Sequence, residues 1–154
     1  MSLKNRLVEE LKNDTTDIPS GRFLMGSEQE TDESPIHEVN LDNFFVTRHL
    51  VTNRQYAIFL NEEGIINEEE KTYTFLNPFN KHTRIRYNGS VYLVEDGYEN
   101  HPVTGITWEG ARRFAESVDG RLPTEAEWEK SARGGLEGQL YWWGDGNPKP
   151  HLGN

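Results

Sequence analysis

The chain has 154 residues, 26 acidic against 16 basic side chains for a formal net charge of -10, and no cysteine. Such a length holds one domain with a core of its own, and the negative balance argues against nucleic acid or an anionic membrane as partner, since either would need clustered positive charge. A polypeptide without cysteine has no disulfide, no thiolate-held metal and no thiol chemistry.

Apolar residues make up only 34% of the chain and charged residues 27%, with a mean hydropathy of -0.82. The core is therefore expected to draw on the four Trp, six Tyr and seven Phe. Together with fourteen Gly these predict a loop-rich α+β domain rather than a helical bundle.

In chain order, Leu3, Leu7 and Leu11 recur at helical spacing between charged residues, which predicts a short amphipathic helix. Residues 1-16 are read as this helix and a linker, packed on the domain or available for an oligomer contact, and residues 17-154 as the domain. Phe23 and Met25 alternate with Arg22 and Leu24, as in a strand ended by Gly26. Ser27 to Pro35 carries Glu28, Glu30, Asp32 and Glu33 and no apolar residue, and it lacks the calcium-loop spacing of an EF-hand, so it reads as a solvated acidic loop. His37 to Asp42 alternates and runs into Asn43 to Val46, predicting one long, bent strand. Thr52 with Gln55 forms a capping box that opens a helix facing Tyr56, Phe59 and Leu60 inward and closing at Gly64.

Asn67 to Lys71 reads as an acidic helical turn. Two β-patterned runs, Arg84 to Tyr87 and Val91 to Val94, flank Asn88-Gly89, a strong hairpin signal. Asn88-Gly89-Ser90 also fits the glycosylation sequon, but without a secretory signal it reads as a turn. Lys81, His82, Arg84 and Arg86 form the densest basic cluster, read as a solvated face. Thr107 caps a helix over Trp108 to Val118, with Ala111, Phe114, Ala115 and Val118 on its inner face.

The run that local chemistry specifies most tightly is Gly120 to Gly135. Gly120 ends the preceding helix with an expected positive φ, Pro123 holds Leu122 extended, and Thr124 with Glu127 makes a second capping box. A helix from Glu125 to Arg133 follows, stopped by Gly134-Gly135, with Arg133 near its negative end. Tyr141, Trp142 and Trp143 then form a compact aromatic segment before a Pro- and Gly-rich tail.

Arg121, Glu125, Glu127 and Glu129 are the candidates for paired-charge chemistry. Capping already explains their spacing, so a structural role is expected, with Arg121 ion-paired to Glu127 or Glu129. The histidines at 37, 49, 82, 101 and 151 show no metal-binding spacing, and no glycine-rich phosphate loop opens a helix. No apolar run approaches the roughly 20 residues of a membrane span, and no signal peptide is recognisable. The sequence predicts a soluble, cytoplasmic chain.

The run GRLPTEAEWEKSARGG (Gly120 to Gly135), followed by YWWGD (Tyr141 to Asp145), resembles the signature of the formylglycine-generating enzyme family, the sulfatase-modifying factors. IPSGRFLMGS (Ile18 to Ser27), LDNFFVTRHLVTNRQYAIFLNE (Leu41 to Glu62) and HPVTGITWEGARRFAESVDGRLP (His101 to Pro123) resemble further family segments in the same order. The resemblance implies an irregular, C-type-lectin-like α+β fold, incomplete here. It also implies an oxidase that converts a sulfatase cysteine to formylglycine with molecular oxygen and copper held by two cysteines.

Those cysteines belong to the family's later half, so no catalytic residue is assigned and copper is not expected. Gly120, Arg121, Leu122, Pro123, Thr124, Glu125, Glu127 and Trp128 are read as the structural signature. Asn154 matches a family asparagine that begins a calcium site, which leaves calcium as the cofactor the resemblance allows. One reading is thus the N-terminal part of a longer family member, inactive alone. The other is a non-catalytic lectin-like module binding a ligand, protein or peptide; self-association or dye binding is expected of the first reading, through Tyr141, Trp142 and Trp143, and a monomer of the second. A role beside an iron-dependent sulfoxide synthase needs a histidine-rich domain that this sequence lacks.

Overall fold

A computed structural model describes residues 2-65, 74-77, 79-139, 141, 143, 144 and 146. The expected turn at Asn67 to Lys71 lies outside them, as do Trp142 and the segment from residue 147 onward. The chain forms two compact units. The first comprises Met1–Thr15 and Thr47–Leu122, the second Thr16–Val46 and Pro123–Asn154.

The first unit holds the apolar core. Its helix α1 (Leu3–Asn13) is capped by the Ser2 hydroxyl, which accepts from Asn5 N–H at 3.1 Å. Leu7 and Leu11 are buried while Leu3 is exposed, so two of the three spaced leucines face inward. Helix α2 (Asn53–Glu62) starts in the expected Thr52–Gln55 capping box and ends where Gly64, at φ 62°, donates to Asn61 O and Ile65 donates to Leu60 O. Tyr56, Phe59 and Leu60 on α2 are all but completely buried. Tyr56 stacks on Phe114 of α3 (Trp108–Ser117) with centroids 5.6 Å apart, and Phe59 meets the same ring edge-on at 5.6 Å. Leu76, Ile85 and Tyr92 complete this cluster.

Strands β5 (Ile85–Tyr87) and β6 (Tyr92–Val94) pair antiparallel with Tyr87 opposite Tyr92. The hairpin exists, but its connection is residues 88-91 rather than the two-residue Asn-Gly turn. The carboxamide of Asn88 explains the longer loop, because its Oδ1 accepts from both Ser90 N–H and Val91 N–H at 3.0 Å. Asn61 of α2 fixes β6 by accepting from Tyr92 N–H (2.7 Å) and donating to Tyr92 O (3.0 Å). Asn53 does the same for the turn before α3, donating from Nδ2 to Tyr98 O (2.9 Å) and His101 O (3.1 Å). The basic cluster is only partly a solvated face. Arg84 lies 4.3 Å above the Tyr98 ring and pairs with Glu95 at 3.1 Å.

In the second unit, β1 (Thr15–Ile18) pairs with β4 (Phe44–Thr47), and β2 (Gly21–Met25) pairs antiparallel with β3 (His37–Leu41) from Gly21–Leu41 to Met25–His37. The single bent strand expected over His37 to Val46 is therefore two strands. They separate at Asp42-Asn43 because each half pairs with a different partner. Helix α4 (Glu125–Arg133) packs on β2. Phe23 is the one buried hydrophobic side chain among this unit's described residues, so polar contacts carry much of its organisation.

Two further expectations are corrected. The left-handed residue that ends α3 is Asp119, at φ 61°, and not Gly120. Asp119 N–H donates to Glu116 O and Gly120 N–H to Ala115 O at 2.8 Å, a Schellman closure with an aspartate in glycine's usual place. The aromatics do not all enter the core either, since Trp108 and Trp128 are 70% and 66% exposed. Both sit in the first turns of helices whose inner faces are filled by smaller side chains.

Candidate functional site

The signature run passes in sequence from the first unit to the second after Leu122. On the first-unit side, Gly120 and Arg121 are exposed and Leu122 is half-buried. The Arg121 guanidinium donates to the Leu122 carbonyl at 3.2 Å. On the other side, Pro123 is exposed and Thr124 caps α4. Thr124 Oγ1 accepts from Glu127 N–H (3.2 Å), and buried Glu127 returns its Oε2 to Thr124 N–H (2.8 Å). Glu125 and Trp128 face solvent.

Three charges of the signature run bind main chain at or just beyond the ends of β2. Glu129 Oε1 accepts from Gly26 N–H at 2.8 Å. Arg133 donates to Gly26 O at 2.9 Å and to Glu129 Oε1 at 2.6 Å. Lys130 Nζ donates to Pro19 O (2.8 Å) and Gly21 O (2.9 Å). Gly26 has to be glycine at the end of this strand, because it sits at φ 94° and a Cβ there would stand 2.3 Å from Glu33 O. Glu127, an expected signature residue, is thus a cap. Glu129, an expected partner for Arg121, takes the strand end and Arg133. The strand-binding role of Lys130 and Arg133 is left out of the sequence reading; the i,i+4 spacing of Glu129 and Arg133 signals their ion pair but not the strand partner.

The contacts described for these groups are to main chain and to neighbouring side chains. Elsewhere, burial and then the nearby Tyr56–Tyr92 interaction push the Tyr56 hydroxyl well above the usual phenol range, and it donates to Phe75 O at 2.9 Å. The Arg112 guanidinium holds Glu109 below the usual carboxylate range through a bidentate contact, closest at 2.6 Å. Both are structural contacts within the first unit.

Metal-binding capacity can be tested on the donor set. Copper held by two thiolates finds no ligand pair in a chain without cysteine. Among the described residues no three His, Asp or Glu gather as a metal site. Asn154, the calcium candidate, lies outside the described residues. Tyr141 and Trp143 stack face to face with centroids 4.7 Å apart and planes 11° from parallel, and Trp143 Nε1–H donates to Gly146 O at 2.9 Å. Among the described residues, no helix is long and apolar enough to cross a membrane.

This α+β architecture is shared with a solved protein, PvdO from Pseudomonas aeruginosa. The two align with a TM-score of 0.53 at 21% identity, over 82% of this chain and 53% of that one. A family model described as sulfatase-modifying factor enzyme 1-like domain matches residues 4-153, and the chain belongs to that family. It is 44% identical over 120 residues to the serine/threonine-protein kinase pkn1 of Chlamydia caviae, covering 77% of this chain and 19% of the kinase. It is 31% identical over 171 residues to the formylglycine-generating enzyme of Thermomonospora curvata, covering 93% of this chain and 56% of that enzyme. The chain therefore spans about a fifth of the first relative's length and about half of the second's.

Proposed function

We propose that this chain is scaffold for a domain of the formylglycine-generating type, corresponding to its N-terminal part and supplying no redox group itself. The observation that carries this reading is the use of the signature charges. Glu127, Glu129, Lys130 and Arg133 all bind main-chain groups, as parts of a folding element do. Copper-thiolate oxidation needs cysteines, and this polypeptide has none. The test is incubation of the purified chain with copper, reductant, oxygen and a peptide carrying a sulfatase cysteine motif. No aldehyde above a copper-only control is expected; aldehyde above it overturns the reading.

A second reading, a non-catalytic module that binds protein or peptide, is favoured by the exposed Trp128 and Trp108. It is also favoured by relatives whose names denote different chemistries, a kinase and an oxidising enzyme, since a shared fold does not by itself fix an activity. Sedimentation at several concentrations beside hydrophobic-dye binding tests it. A dye-silent, concentration-independent monomer favours the module, and association or dye uptake favours the N-terminal-part reading over it.

A further inference from the structure

We infer that Asn88 is a site of spontaneous deamidation that the β5–β6 turn itself promotes. Asn88-Gly89 is the chain's one Asn-Gly pair, and residues 88-90 are all exposed. Asn88 Oδ1 receives Ser90 N–H and Val91 N–H, each at 3.0 Å, while Asn88 N–H donates to Val91 O at 3.1 Å. The carboxamide is thereby fixed over its own turn. Among the described residues, the neighbouring Gly89 N–H makes no hydrogen bond. Gly89 lies at φ 97° in an exposed turn, and nothing stands within 4 Å of where its Cβ would be.

The chemistry balances with water alone. Gly89 N gives its proton to solvent and adds to Asn88 Cγ, and the carbonyl π pair moves onto Oδ1. The two N–H groups already aimed at Oδ1 stand where an oxyanion hole places its donors, so the developing charge meets preorganised partners. Collapse breaks the Cγ–Nδ2 bond, and Nδ2 takes up a proton and leaves as ammonia. Water then opens the five-membered imide at either carbonyl, giving aspartate or isoaspartate at position 88. Isoaspartate inserts a methylene into the main chain beside the Tyr87–Tyr92 pair. Because Asn61 holds Tyr92 by both main-chain groups, the displacement falls on β5.

The experiment ages the full chain at mildly alkaline pH, folded and in urea, and maps peptides by electron-transfer fragmentation with isoaspartate-specific methylation. The expected result is conversion at residue 88 before any other asparagine, at least as fast in the folded chain as in urea, and abolished by Asn88→Gln. Slower conversion in the folded chain, or another asparagine converting first, overturns the proposal.

Discussion

Lys130 on α4 donates to the carbonyl of Gly21, 2.9 Å away, and so ties the signature helix to the first residue of β2. The same ammonium reaches Pro19 O at 2.8 Å. Lys130→Met keeps most of the stem and removes both bonds. With one bond exposed and the other partly buried, the expected loss is about 1-2 kcal/mol. Lys130→Arg is expected to restore only part of it, since a planar fork does not reproduce a point ammonium. Urea midpoints measure both, and an unchanged midpoint for Lys130→Met refutes the tie.

The two capping boxes permit an internal comparison. Thr124→Ala and Thr52→Ala each remove an N-cap oxygen, one per unit, and each is expected to cost about 0.5-2 kcal/mol. Glu127→Gln keeps an acceptor for Thr124 N–H and is expected to cost less than Thr124→Ala. A Glu127→Gln loss as large as that of Thr124→Ala, read from denaturant midpoints, indicates that Glu127 does more than cap.

Much of this architecture was legible from residues whose chemistry is local. Thr52, Thr107 and Thr124 announced their helices because a cap needs only its own next three residues. The split of His37 to Val46 was not legible, because alternation reports which faces are buried and not which strand each half pairs with. Nor was the strand-binding role of Lys130 and Arg133, whose partners at Pro19, Gly21 and Gly26 are more than a hundred residues away. Gly120 drew the left-handed assignment from its residue type, whereas the geometry of the preceding turn places Asp119 there.

That last substitution of roles yields a stabilising change. Asp119 holds φ 61°, a conformation that costs an L side chain energy and glycine little. Its ion-pair partner Lys12 is 3.7 Å away, and both side chains are largely exposed, so the pair contributes little. Asp119→Gly is expected to raise stability by about 0.5-1 kcal/mol. A thermal melt that falls instead assigns the aspartate side chain a structural role.

Acid sensitivity is expected at the end of α1. Asp14 Oδ1 meets His49 Nδ1 at 2.7 Å, Oδ2 accepts His49 N–H at 3.2 Å, and Arg48 stands 3.8 Å away. The His49 side-chain bond, above all, holds the Asp14 carboxyl below its ordinary range. A carboxyl lowered on folding contributes stability at pH above its unfolded pKa and loses it as the pH falls through the folded one. Asp14→Asn is therefore expected to be the less stable protein near neutrality and to lose less stability than the parent below about pH 5. Parallel acid limbs for the two proteins contradict this.

Packing in the first unit leaves no room for a side chain at Gly110, in the first turn of α3. A Cβ there would lie 2.3 Å from Phe75 O and 2.3 Å from Tyr56 Oη, the two atoms that share the 2.9 Å hydrogen bond. The helix cannot move outward without opening the Tyr56–Phe114 stack. Gly110→Ala is accordingly expected to cost about 1-3 kcal/mol, although alanine is the better helix former. Tyr56→Phe alone should cost about 1 kcal/mol by leaving Phe75 O one donor short, yet it removes one of the two clashing atoms. The double variant Gly110→Ala/Tyr56→Phe is therefore expected to be more stable than the sum of the single losses allows, by an interaction of at least about 0.5 kcal/mol. Additive midpoints across the four proteins of this cycle show that the added methyl is accommodated without pressing on the Tyr56 hydroxyl, and that the close approach is not what requires glycine at position 110.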